Sequence, residues 1–156
     1  IWRVKMFKAY GANPSPLSFS ELFSALKTGT FDGQENPFAQ IHSAKLQEVQ
    51  KYLSLTGHVY TPAYVLVSRK HWKKMPKNIK KILKSAAKET QKATYKKAAE
   101  LENSLLADLK KSGMKVNKAN HKAFVDASGP IYDQFSTSVN GAFGMLNQIN
   151  RLGEGL

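Results

Sequence analysis

Between Pro76 and Gly113 the apolar residues Ile79, Ile82, Leu83, Ala86, Ala87, Ala93, Ala98, Leu101, Leu105 and Leu109 recur mostly at intervals of three and four, and lysines fill the positions between them. That is the period of an α-helix with one buried stripe and a wet remainder. The pattern predicts a single helix over 77–112, opened by Pro76 at a position where a helix start tolerates proline. It would be closed by the last-turn lysines Lys110 and Lys111 with Gly113 as the C-cap. A helix about three times the usual dozen residues suits a brace between two bodies better than an element of one small core.

Shorter patterns flank it. "GANPSPLSF", residues 11–19, carries two closely spaced prolines and is predicted to be extended. Ser18 and Glu21 then have the spacing of a capping box, with Leu17 and Leu22 at the hydrophobic-staple positions. A helix is therefore expected after Ser18, ending near Gly29, with Leu22, Phe23 and Leu26 on its buried side. In "FDGQENPFAQ", residues 31–40, Asp32-Gly33 signals a turn. Asn36 followed by Pro37 has the sequence of an N-cap and first helical residue, opening a helix through Phe38 and Ile41 toward Lys45. "KYLSLTGHVY" and "TPAYVLVSRK" are rich in β-branched and aromatic residues and predict two strands joined or bent near Gly57 to Pro62, with Val65 to Ser68 central. After Gly113, "MKV" predicts a short strand. Helical patterns follow over His121 to Ala127 and Tyr132 to Ile149, broken by Gly129-Pro130. Helices and strands alternate, so the expected class is α/β.

With 42% hydrophobic residues in 156, the chain can bury a core. No run of residues is apolar enough to span a bilayer, and "IWRVKMFKAYG" has neither a signal-peptide pattern nor an initiator methionine, which suggests a start in mid-protein. Cysteine is absent, which removes disulfides, thiolate metal sites and cysteine nucleophiles. The net charge of +13 raises the prospect of nucleic acid or an anionic membrane as partner. Yet the excess is local: residues 69–122 carry seventeen Lys/Arg against four Asp/Glu, whereas the flanking segments are nearly balanced. That segment holds Arg69 alone among arginines, and its aromatics are Trp72 and Tyr95. Base readout wants arginine and stacking wants aromatics, so a solvated lysine face is the plainer reading, with a basic nucleic-acid-binding module as the alternative. The alanine-rich apolar stripe is equally unsuited to inserting into a membrane.

The chemistry on offer is that of binding. There is no nucleophile elbow, no phosphate-cradling glycine loop and no metal-spaced cluster; His42, His58, His71 and His121 stand far apart in sequence. No enzyme, metal or cofactor is indicated. Asp32 and Glu35 lie three apart, but a turn and compensation of a helix dipole explain them better than acid–base catalysis. Asn36 admits two readings: a plain helix cap, or an amide that joins helix N–H groups in receiving a carboxylate.

The blocks G-A-N-P-x-P, F-S-E-L, A-L-x-x-G, D-G-Q-E-N-P, E-V-Q-K-Y and T-G-H, in this order from Gly11 to about Trp72, resemble the solute-binding proteins of the tripartite ATP-independent periplasmic (TRAP) transporters, of the C4-dicarboxylate-binding type. The resemblance implies a two-domain α/β binding protein of which this chain is roughly the carboxy-terminal half. Residues 1–76 would form the core of the second domain, 77–112 a bracing helix shared by both domains, and 113–156 a short strand and terminal helices. The first domain would lie upstream. It further implies a monomer in the periplasm that captures a small organic acid between its domains, closes on a hinge and delivers the ligand to membrane permease subunits. Ligand contacts carry over to Asn36, Phe19 and His58, with Gln34 shaping the same loop. The family's bidentate arginine anchor would fall before Ile1, and Arg3 does not align with it.

Overall fold

The computed structural model describes residues 1–153. In chain order these form α1 (Trp2–Ala9), α2 (Phe19–Lys27), α3 (Phe38–Ser43), a 3-10 turn (Leu46–Glu48), β1 (Tyr52–Leu55), α4 (Arg69–Lys74), α5 (Lys77–Lys111), β2 (Lys115–Lys118), α6 (His121–Ser138) and α7 (Ala142–Gly153). The two strands pair in one sheet. Lys115 N–H donates to Lys51 C=O at 2.9 Å and Ala119 N–H to Leu55 C=O at 3.4 Å, so both strands run the same way. A parallel pair needs a long crossover connection, and here it holds α4 and α5.

The chain divides into two compact units. One comprises Ile1–Leu22, Ser54–Val59 and the chain from Asn117 onward; the other comprises Phe23–Leu53 and Tyr60–Val116. In the first unit α1 packs on α6, and α6 on α7. Rings cement the α1–α6 contact: Trp2 meets Phe135 edge to face at 5.2 Å, and Tyr10 meets Phe124 at 4.9 Å. Ser128 is buried in this apolar setting, and its hydroxyl donates to the Phe124 carbonyl at 2.8 Å. Since that uses its one proton, the Tyr10 hydroxyl is the donor in their 2.8 Å contact.

In the second unit α3 packs on α5, and Leu26, Ile41, Leu46, Leu109 and Met114 are its buried apolar side chains. The α5 terminus shows why Gly113 ends it. Met114 N–H reaches back to Leu109 C=O and Gly113 N–H to Lys110 C=O, a Schellman closure with Gly113 at φ +94°. Leu109 and Met114, the two residues such a motif brings together, are both buried.

Four expectations need correcting. Val65 to Ser68 is not a strand: nothing between Val59 and Ser68 is regular, and Tyr64, Val65 and Leu66 are largely exposed. A strand exists only through hydrogen bonds to a neighbour, and among the described residues β1 and β2 find only each other. The buried stripe of α5 is confined to its end, where Leu101 and Leu105 are half-buried and Leu109 fully so; Ile79, Ile82 and Leu83 are exposed. Gly129-Pro130 does not break the last helical region, because α6 runs through it to Ser138. Proline there forfeits a bond to the Asp126 carbonyl, and both residues face solvent, where water replaces it. The break falls at Val139–Gly141 instead, with Gly141 at φ +78°. Finally, α3 starts one residue later than expected, with Pro37 at the N-cap, and ends at Ser43.

Gly113 yields a direct test. A Cβ there meets no atom within 4 Å, so the left-handed φ is the whole obstacle. Gly113→Ala is expected to lower unfolding free energy by about 1 kcal/mol, read as a reduced denaturation midpoint at unchanged m-value.

Candidate ligand-binding residues

Residues 31–37 connect α2 to α3. The chain leaves α2 over Gly29, at φ +72°, and Phe31 N–H returns to Ala25 C=O at 3.3 Å. It bends at Asp32 and continues without regular structure to Pro37, which is extended at φ −61° and ψ 156°. Asn36 makes no capping bond: Pro37 is the N-cap and α3 receives no side-chain cap. The plain capping reading is thereby removed. Instead Asn36 Nδ2 donates to Gln34 Oε1 at 2.7 Å, both side chains being half-buried. Tied head to tail, the two amides retain the Gln34 NH2 group, the second Asn36 N–H and the Asn36 carbonyl oxygen. None of these atoms bonds to another described residue. The arrangement is a preset group of donors with one acceptor beside them, suited to an anion that also carries hydroxyls. The helix behind it has six residues and adds little dipole, so the amide pair rather than the helix start carries the site.

His58 belongs to the other unit, with Phe19. Its Nδ1 lies 2.6 Å from the Thr56 hydroxyl, and its ring stands edge-on to Phe7 at 5.2 Å and 89°. Phe7 in turn meets Tyr10 at 5.5 Å, so His58 ends a row of aromatic contacts running through Phe7 and Tyr10 to Phe124. The imidazole is thus fixed in place by packing and by Thr56. Thr56 stands two residues before His58, within the T-G-H block, whereas the aromatic row joins Phe7, Tyr10 and Phe124, which lie far from His58 in sequence and could not be read there.

Phe19 is the first residue of α2 and is 47% exposed, an apolar ring left at the surface of its unit. Ser18 and Glu21 meet at the helix start, but not as a capping box: the Ser18 hydroxyl donates to the Glu21 carboxylate at 2.5 Å, and the Glu21 N–H bonds the Ser18 carbonyl at 3.1 Å. The structure therefore joins Asn36 to Gln34 directly, and seats Phe19 and His58 in the other unit. An open hollow of about 340 Å³ lies between residues 47–51 and Ser112–Gly113, and none of the four candidates lines it. Among the described residues no group of His, Asp or Glu side chains could hold a metal.

Residues 2–138 match the model of the bacterial extracellular solute-binding protein family 7. The chain belongs to this family. It is 34% identical over 151 residues to the 2,3-diketo-L-gulonate-binding periplasmic protein YiaO of Escherichia coli, covering 96% of this chain and 46% of that protein. It is also 34% identical to the sialic acid-binding periplasmic protein SiaP of Vibrio cholerae, over 85% of this chain and 41% of the relative. Among solved structures, a TRAP periplasmic solute-binding protein from Haemophilus influenzae with bound L-gulonate matches with a TM-score of 0.89 at 33% identity, over 96% of this chain and 50% of that one. One from Polaromonas bound to D-erythronate matches at 0.80 and 41%, over 86% and 45%.

The chain thus spans about half the length of the curated relatives it matches. The family's two-domain α/β fold accounts for the class expected from the alternation of elements, and membership places the chain among periplasmic proteins. No described helix is long and apolar enough to cross a membrane. The relatives are solute-binding proteins of transport, and no match supports the nucleic-acid alternative.

The seat of His58 can be tested apart from any ligand. Thr56→Val keeps the shape and deletes the hydroxyl, so stability is expected to fall by about 1 kcal/mol. The His58 ring protons should shift in NMR spectra at the same time.

Proposed function

We propose that the complete protein captures a small organic-acid anion in a cleft between two domains and delivers it to membrane permease subunits. One observation carries the reading: the Asn36–Gln34 pair is bonded internally by a single N–H, and its other donors are uncommitted among the described residues. Two kinds of support join it. The similar structures hold L-gulonate and D-erythronate, both carboxylates bearing hydroxyls. The carboxylates of the same loop, Asp32 and Glu35, moreover fit turn-forming groups better than an acid–base pair.

In this reading Asn36 donates to the ligand carboxylate, Gln34 fixes the Asn36 amide and lends its own NH2, and Phe19 offers an apolar face to the carbon skeleton. His58, fixed by Thr56 and Phe7, borders the cleft. The half of the protein that this chain does not span supplies the opposite wall and an arginine whose planar fork pairs with the carboxylate. Residues 1–76 then serve as the second-domain core, 77–112 as the bracing helix and 113–156 as the closing elements. Binding favours the closed hinge because only there do both walls touch the ligand at once. The protein acts as a monomer, without catalysis, cofactor or nucleic acid.

The test is thermal stabilisation of the complete protein across a panel of monocarboxylates, dicarboxylates and sugar acids. A true ligand at a hundredfold excess over its Kd adds about 2.7 kcal/mol to stability. Asn36→Ala is expected to weaken binding by about 1 to 3 kcal/mol, the range for a charge-assisted hydrogen bond, with the unliganded melting point little changed. A panel in which no acid raises the melting temperature refutes the reading; so does turnover of a bound acid.

A further inference from the structure

Lys77, Lys81, Lys84, Lys88 and Lys92 succeed one another on α5 at intervals of four, three, four and four. At 3.6 residues per turn that spacing keeps all five ammonium groups on one face, in a row about 22 Å long. Every one is exposed, and none is ion-paired with another described residue. The carboxylate within this stretch, Glu89, stands about 100° round the helix from the row and accepts a bond from the Ser85 hydroxyl. Lys84, with Lys80, lies over the Trp72 ring at 5.8 Å and 5.9 Å, which seats the start of the row. Tyr95 falls three residues after Lys92 and seven after Lys88, hence on the same face, and is 63% exposed.

We propose that this face of α5 rests on an anionic phospholipid surface. Five unneutralised positive charges in a straight line fit a flat, laterally mobile array of phosphates better than a fixed protein epitope. Protein interfaces are depleted in lysine and centre on aromatic or arginine anchors, whereas the centre of this row is lysine throughout. Lysine ammoniums are mobile point charges on long stems that need no matched fork geometry. A tyrosine at the end of the row has the amphipathic ring that favours the headgroup level. The face lacks the apolar residues needed for insertion, so contact is Coulombic and reversible. It would hold the protein close to the bilayer in which a permease resides, and it does not depend on any residue assigned above to ligand binding.

Vesicles of phosphatidylglycerol mixed with phosphatidylcholine, against phosphatidylcholine alone, give the test in co-sedimentation with the complete protein. Binding to the anionic vesicles alone is expected, and it should collapse as salt rises from about 0.1 M to about 1 M and the screening length falls from about 10 Å to about 3 Å. Each lysine at such a surface contributes roughly fivefold in affinity. The quadruple variant Lys77→Gln, Lys81→Gln, Lys88→Gln and Lys92→Gln should therefore lose on the order of six-hundredfold while keeping its melting temperature. A charge-matched control off this helix, Lys8→Gln, Lys27→Gln, Lys51→Gln and Lys118→Gln, should lose far less. Equal loss in both variants overturns the proposal in favour of net charge alone. Failure to bind anionic vesicles while binding soluble polyglutamate overturns it in favour of an acidic protein partner, and failure to bind either leaves the row as solvated surface.

Discussion

The seating of α3 and the turn after it against α5 governs how the candidate loop is presented. Ile41, Leu46 and Leu109 are the largest fully enclosed side chains among the described residues, one from each of these three pieces. Each such burial contributes about 1.5 to 3 kcal/mol. The segment from Asp32 to Pro37 is anchored at one end by this packing and at the other by the glycine exit from α2, so its amides keep a fixed orientation without a sheet beneath them. Lys45, at φ 55°, turns the chain from α3 into Leu46. A non-glycine residue in the left-handed region is tolerated there because burial of Leu46 outweighs a strain of order 1 kcal/mol.

In the proposed site each polar candidate side chain is held by a neighbour. Gln34 holds Asn36, Thr56 holds His58, and the Phe7–Tyr10–Phe124 row holds the imidazole from behind. A binding protein gains affinity when its polar groups are already aimed, since less ordering entropy is lost at the moment of capture. Each of these supports lies within a single unit, Gln34–Asn36 in one and the contacts of His58 in the other.

Much of this was legible in the sequence, and the reasons differ from element to element. The long helix and its glycine stop were readable because both signals are local: a period of three and four over ten turns, then lysines and Gly113. The α2 boundaries were readable from Ser18, Glu21 and Gly29 on the same grounds. Val65 to Ser68 misled because β propensity records fitness for a pleated surface and says nothing of whether a neighbouring strand is present. Pro130 misled because its cost depends on where the orphaned carbonyl points, which only the fold decides. Asn36 was found as a candidate through its motif, but its partner, Gln34, was expected only to shape the loop. That the two amides meet is a matter of the loop's path, which propensity and motif do not state.

The polypeptide passes between its two compact units after Leu22, Leu53, Val59 and Val116. Neither unit is therefore a continuous stretch of gene, and no single cut or truncation can release one of them whole. Synthesis feels the same constraint: Lys5 bonds to Gln134 at a sequence separation of 129, so α1 leaves the ribosome long before its lasting neighbour exists. Its apolar side must wait unshielded through the translation of everything between, an interval in which non-native contacts compete with the lasting one.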